Sequence, residues 1–165
     1  MPGETTTIII FGASGDLTSR KLLPALFNLW LKGRLPEDFH IVGMARSSFT
    51  DDQFRERMWA AMADSEGMGS RRADWDRFCE RVTYCSGDLA LPGDMVRLKG
   101  MLEEAEHGLD IVNRLFFLSI APSLYESAVE SLGASGLATE ENGWRRVVIE
   151  KPFGSNLESA QALNR

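Results

Sequence analysis

The run Thr6-Thr7-Ile8-Ile9-Ile10-Phe11 is uncharged, β-branched up to its closing phenylalanine, and ended by Gly12. Such a run suits a strand covered on both faces, since a strand with one wet face would alternate apolar and polar residues. A strand buried on both faces needs neighbours at both edges and helices above and below. The rest of the chain supplies them in alternation. Phe39 to Met44, Val82 to Cys85, Leu115 to Ile120 and Arg146 to Ile149 read as four further strands.

The stretches between them carry helical spacing. Leu22, Leu23, Leu26, Leu29 and Trp30 fall on one side of a helix that Gly33 ends. Pro24 cannot sit deep inside it, so the regular part is expected to begin near Lys21 to Pro24, after a loop or tight turn from Gly12. Thr50-Asp51-Asp52-Gln53 matches a capping box, opening a helix that buries Phe54, Met58, Ala61 and Met62. Ser65 to Arg72 reads as a polar loop, with Trp75 to Phe78 packing over the sheet. Met95, Leu98, Met101, Leu102 and Ala105 mark the next helix, ended by Gly108. Pro122 opens another at its first position, with Tyr125, Ala128, Val129 and Leu132 facing inward. Ser155-Asn156-Leu157-Glu158 is a second capping box, for a helix that runs to Arg165 without a stop signal.

Strands alternating with helices imply an α/β fold, a Rossmann-like doubly wound parallel sheet with helices on both faces. A chain of 165 residues can bury one such domain and is short for two. Residues 1–165 therefore read as one dinucleotide-binding domain, broken inside its last helix as a truncated enzyme would be. The net charge of -6 argues against nucleic acid as a partner. No apolar run reaches the roughly 18 residues that span a bilayer, and Ile8 to Phe11 lacks the basic flank of a signal peptide. No membrane partner is expected, and the cytoplasm is the expected compartment. Cys79 and Cys85 make neither a disulfide framework nor a metal knuckle and read as reduced thiols.

In a sheet of this kind the ligand binds at the carboxyl ends of the strands, where strand order reverses. After the first strand stands Gly12-Ala13-Ser14-Gly15-Asp16-Leu17. Its two glycines let the backbone turn sharply and approach a pyrophosphate, and the amides beyond them supply donors. It is not a full G-x-G-x-x-G fingerprint, since Ile10 occupies the first glycine's place, and a plain strand–helix turn is the alternative. A carboxylate facing a pyrophosphate would repel it, so Asp16 is expected to turn aside and cap backbone donors. After the second strand, Arg46 stands where an NAD-preferring enzyme commonly has an acid. Its guanidinium can grip a 2′-phosphate, with Ser47 or Ser48 adding a donor, and NADP is favoured. Tyr84 either packs on the adenine side or fills the sheet face. Ser119 and Ile120 pass under the nicotinamide ribose or simply turn the chain. Lys151, before Pro152, projects into the cleft mouth or is a surface lysine.

Taken together these blocks resemble the glucose-6-phosphate dehydrogenase family. The resemblance rests on Ile10 to Leu17, Lys21-Leu22-Leu23-Pro24-Ala25-Leu26, Val42-Gly43-Met44-Ala45-Arg46-Ser47 and Val148-Ile149-Glu150-Lys151-Pro152-Phe153-Gly154, and it covers the whole chain. It implies oxidation of glucose 6-phosphate to its lactone with hydride passing to NADP, the entry step of the oxidative pentose phosphate pathway. It also implies a homo-oligomer when the enzyme is complete. By matched position Gly12, Ala13, Ser14, Gly15, Asp16, Leu17, Arg46, Ser47, Tyr84, Ser119, Ile120 and Lys151 would bind the cofactor, and Lys151 would also touch the sugar. The family's general base lies in an Asp-His-Tyr-Leu-Gly-Lys segment that this sequence lacks. His40 and His107 read as structural or solvated, so no catalytic residue is expected here and the chain alone should turn over little. Two alternatives remain. One is a sugar dehydrogenase of the glucose–fructose oxidoreductase group, which shares Glu-Lys-Pro but usually keeps the full glycine fingerprint. The other is a stand-alone NADP-sensing or scaffold domain.

Overall fold

The computed structural model describes residues 3–150 and 161. Its centre is β1 (Glu4–Phe11), flanked by β2 (Phe39–Ala45) and β4 (Ile111–Leu118), with β3 (Val82–Ser86) and β5 (Arg145–Ile149) outside them. All pairings are parallel and the order is β3-β2-β1-β4-β5. Successive side chains of β1 point to opposite faces, so the one apolar run feeds two cores. Ile8 and Ile10 pack with Leu23, Phe27, Phe54 and Trp75 on one face. Ile9 and Phe11 pack with Met95, Leu98, Tyr125 and Leu132 on the other. The expected α/β sheet covered on both faces is the observed one.

The helices that cover it are α1 (Leu23–Leu31), α2 (Asp51–Met62), α3 (Arg72–Cys79), α4 (Pro92–Ala105) and α5 (Tyr125–Ala134). The Thr50–Gln53 capping box at α2 forms in both directions. Phe27 of α1 meets Trp75 of α3 edge-on at 5.3 Å and Phe78 at 5.4 Å. Burying each such ring contributes on the order of 2–3 kcal/mol, and this aromatic group fixes α3 over the sheet.

Several expectations are corrected. Strand four runs Ile111–Leu118, not Leu115 to Ile120. Its first half carries Asn113 and Arg114, polar residues buried within a strand because distant partners satisfy them. Asn113 Nδ2 donates to Glu4 Oε1 at 2.9 Å, and Arg114 reaches Glu106. The chain is already helical at Asp16, where a loop was expected. A wide π-type turn over Thr18–Leu22 joins it to α1, the Leu23 amide donating five residues back to the Thr18 carbonyl. Pro24 then falls at the start of α1, where its missing N–H costs little. The register of that turn also places Phe27 inward and leaves Leu29 36% exposed. Ala61, Ala105 and Val129 likewise face solvent. The loop at Ser65 to Arg72 contains a short 3-10 turn at Gly69–Arg71, and Arg72 itself starts α3, paired with Glu56 and Asp76. Pro122 opens a 3-10 turn, Pro122–Leu124, and α5 begins only after it. The second capping box and its helix lie outside the described residues.

At the amino edge of the sheet, Glu106 and Arg114 form a buried ion pair at 2.5 Å, 6–8% exposed. Thr7 donates to the same carboxylate at 2.9 Å, and Arg114 also donates to the Leu137 carbonyl at 3.4 Å. No helix among the described residues is long and apolar enough to cross a membrane. Cys79 and Cys85 are free and buried, and burial pushes the Cys79 thiol up to about 12.

Candidate functional site

Strand order reverses between β1 and β4, and in open sheets of this kind the ligand crevice lies there, outside the carboxyl ends of the strands. Gly12 forms one wall of it. It has φ +78°, and a Cβ there would stand 1.9 Å from the Ser119 carbonyl oxygen. The glycine is thus required first for the approach of the β1 and β4 loops to each other. Gly12 and Ala13 donate their amides to the Met44 carbonyl at 2.9 and 3.1 Å, and Gly15 donates to the Gly12 carbonyl at 3.0 Å. Ala13 is fully buried. The amides of Ser14, Asp16 and Leu17 have no backbone acceptor among the described residues. They stand at a helix N-terminus, where an anion is favoured both by open donors and by the dipole.

Asp16 departs from expectation. Its carboxylate makes no hydrogen bond among the described residues and is exposed. It needs no capping partner, because a negative charge in a first helical turn is already stabilised by the dipole.

The loop after β2 carries Arg46, Ser47 and Ser48, all exposed. The Arg46 guanidinium takes part in no ion pair among the described residues. Ser47 Oγ lies 3.4 Å from Ser14 Oγ, so this loop and the glycine loop border one space. Tyr84 is buried, its ring stacked on Phe54 at 4.8 Å and tilted on Phe49 at 5.5 Å. Its hydroxyl reaches the carbonyls of Ala45 at 3.0 Å and Ser47 at 2.5 Å, on either side of Arg46. Burial pushes the phenol pKa up, which keeps it a neutral donor. Of the two readings of Tyr84, the geometry fits the one that fills the sheet face and braces the loop. Tyr84→Phe should therefore weaken NADP binding about 3- to 10-fold while leaving the fold intact, the scale of one lost hydrogen bond. An unchanged dissociation constant by calorimetry would count against that bracing role.

Ser119 and Ile120 follow β4 and are half-buried beside Gly12. Tyr125 donates to the Glu150 carbonyl at 3.0 Å and so ties α5 to the end of β5. Lys151, the expected contact at the cleft mouth, lies outside the described residues. Neither histidine reaches the carboxyl edge. His40 stands at the start of β2 with Nε2 2.9 Å from Thr83 Oγ1, and burial lowers its pKa; His107 is exposed beyond α4.

Three contributors escaped the sequence reading. Gly43 leaves room for Ala13, since a Cβ there would meet the Ala13 Cβ at 2.8 Å; a lone glycine in an apolar strand is the signal that could have found it. Thr18, fully buried, contacts both crevice walls. The Tyr125 hydroxyl has no local signal at all. The site as built can hold the diphosphate of a dinucleotide on open amides and a further phosphate on Arg46.

Comparison with known proteins finds relatives along nearly the whole chain. Residues 9–165 match the family model described as glucose-6-phosphate dehydrogenase, NAD binding domain. Glucose-6-phosphate 1-dehydrogenase of Aggregatibacter actinomycetemcomitans is 42% identical over 165 residues, and a chloroplastic form from Arabidopsis thaliana is 39% identical. Each alignment covers 99% of this chain, which spans 33% and 28% of the length of those relatives. A solved structure of glucose-6-phosphate dehydrogenase in complex with its substrate glucose-6-phosphate superposes with TM-score 0.85 at 35% identity, covering 99% of this chain and 34% of that one. The Mycobacterium avium glucose-6-phosphate 1-dehydrogenase gives 0.78 at 32% identity, covering 99% and 33%.

Proposed function

Because the chain belongs to the glucose-6-phosphate dehydrogenase family and corresponds to its nucleotide-binding domain, we propose that it holds NADP in an enzyme that oxidises glucose 6-phosphate to 6-phosphogluconolactone. The observation that carries this reading is that the amides of Ser14, Asp16 and Leu17, without a backbone acceptor among the described residues, face the same space as Arg46, whose guanidinium joins no ion pair among those residues. The amides suit the diphosphate. Arg46 suits a 2′-phosphate, which NAD lacks, and Ser47 adds a hydroxyl beside it. Gly12 and Ala13 shape the loop that Gly15 helps to turn, and Ser119 with Ile120 underlies the reactive end of the cofactor. When bound, the nicotinamide supplies the hydride acceptor. The chain's own residues bind and orient it. Lys151, next along the chain from Glu150, is proposed to meet the sugar and the cofactor's reactive end.

Neither histidine stands at the cleft, so these residues supply no base for the sugar hydroxyl. Without one, proton abstraction loses on the order of 10² to 10⁴ in rate, and the chain by itself is expected to bind nucleotide and turn over little. Function in the cytoplasm and in a homo-oligomer is proposed on the resemblance; the chloroplastic relatives show that the family also works elsewhere.

Arg46→Ala tests the assignment. Losing a charge-assisted fork should raise the dissociation constant for NADP roughly 10- to 100-fold and leave that for NAD within about 2-fold. A parallel loss with both cofactors would mean that the arginine serves only the fold.

A further inference from the structure

Thr18 opens the π-type turn and is fully buried beneath the glycine loop. Its Oγ1 lies 3.3 Å from the Gly12 carbonyl oxygen and 3.3 Å from Ser119 Oγ. A threonine hydroxyl has one proton to donate. The Gly12 carbonyl can only accept, and its second lone pair is free because the Gly15 amide occupies just one. Thr18 therefore donates to Gly12, and the contact with Ser119 must run the other way, from the serine proton to Thr18 Oγ1. The reverse order would set two acceptors against each other at the carbonyl.

The consequence falls on Ser119. Its amide is held by the Phe11 carbonyl at 2.9 Å, so the residue is fixed on β1 as well as on β4. With its hydroxyl proton turned inward, it presents only lone pairs to the crevice. We propose that Thr18 is a positioning residue which locks the glycine loop to the β4 loop, and that Ser119 thereby reads a hydrogen-bond donor on the bound nucleotide. A ribose hydroxyl or a carboxamide NH₂ meets that requirement; a phosphate oxygen does not. The inference rests on the nucleotide site proposed above and adds to it a relay, Ser119 to Thr18 to Gly12. In this relay Thr18 acts without touching the ligand.

The test uses the full chain, NADP as the probe, and Thr18→Val, Thr18→Ser, Ser119→Ala and the Thr18→Val/Ser119→Ala pair. Valine keeps the buried shape and removes the hydroxyl. Titration calorimetry should show Thr18→Val weakening NADP about 3- to 10-fold, Thr18→Ser restoring it to within about 2-fold, and the double variant no worse than the weaker single one. Rescue by serine separates positioning from a packing role, since serine loses the methyl that packing would need. Wild-type affinity in Thr18→Val, equal losses in valine and serine, or multiplying losses in the double variant would overturn the relay. Amide hydrogen exchange of Ser119 without ligand distinguishes this from failure of the site itself. If the wild-type chain does not bind NADP, the nucleotide site and the reading of Ser119 both fall. The lock between loops then stands if exchange at Ser119 quickens in Thr18→Val but not in Thr18→Ser, and is overturned if it does not.

Discussion

Replacing Gly12 with alanine is expected to cost about 2 to 5 kcal/mol of stability, combining a left-handed backbone that L side chains resist with overpacking. The direct obstacle is the Ser119 carbonyl, 1.9 Å from where the new Cβ would stand, with the Ile120 side chain at 3.0 Å behind it. Neither neighbour can retreat cheaply. Ser119 is bonded to Phe11 through its amide, and Gly12 is bonded to Met44. The β1 and β4 loops would have to part, and they are the two walls of the crevice. Nucleotide affinity should therefore fall with stability, in contrast to Arg46→Ala, which spares the fold. Chemical denaturation with titration on the folded fraction measures both. A stability loss under about 1 kcal/mol would mean that the loops are not in contact as described.

Glu106→Gln makes the opposite separation. Glutamine keeps the shape, yet it leaves Arg114 as a buried charge without its carboxylate. Breaking a buried pair by removing one partner typically costs about 3 to 5 kcal/mol. The surroundings add to the penalty. Arg145 lies nearby, its pKa lowered by burial and then by the Arg114 charge, while Glu106 acts in the opposite sense. Thr7 and Arg114 share the Glu106 carboxylate, so one substitution disturbs β1 and β4 together. Joint replacement, Glu106→Leu with Arg114→Met, should recover most of the loss because the desolvation penalty disappears with both charges. The pair lies at the amino edge, far from Gly12, so NADP affinity of the folded protein should not change. A midpoint of urea unfolding that hardly moves in Glu106→Gln would show that the pair is open to water.

What could be read from the sequence was local. The apolar runs at Ile8, Ile41 and Val82 mark strands because both of their faces are dry, and the capping box at Thr50 is a four-residue signal. Strand four was displaced because Asn113 and Arg114 look unfit for a core until Glu4 and Glu106 are known to be their partners, 109 and 8 residues away. The early helix at Asp16 was hidden by Pro24, since a π-type turn breaks the helical spacing that would have revealed it. The same division holds at the site. Gly12 and Arg46 were found from position, directly after strands one and two. Thr18, Gly43 and the Tyr125 hydroxyl owe their roles to contacts across the sheet. The capping role expected of Asp16 is unnecessary at its helical position, since the dipole already stabilises a carboxylate there.

The dinucleotide site proposed at the carboxyl edge reads a 2′-phosphate. Titrating the isotope-labelled chain with NADP and with NAD, while following backbone amide shifts, tests it most directly. NADP should bind roughly 10-fold or more tighter than NAD, the scale of one charge-assisted contact. The shifts should fall on Gly12 to Leu17, Arg46, Ser47, Ser119 and Ile120. Equal affinity for the two cofactors, or shifts gathered at the amino edge around Glu106 and Arg114, would contradict it.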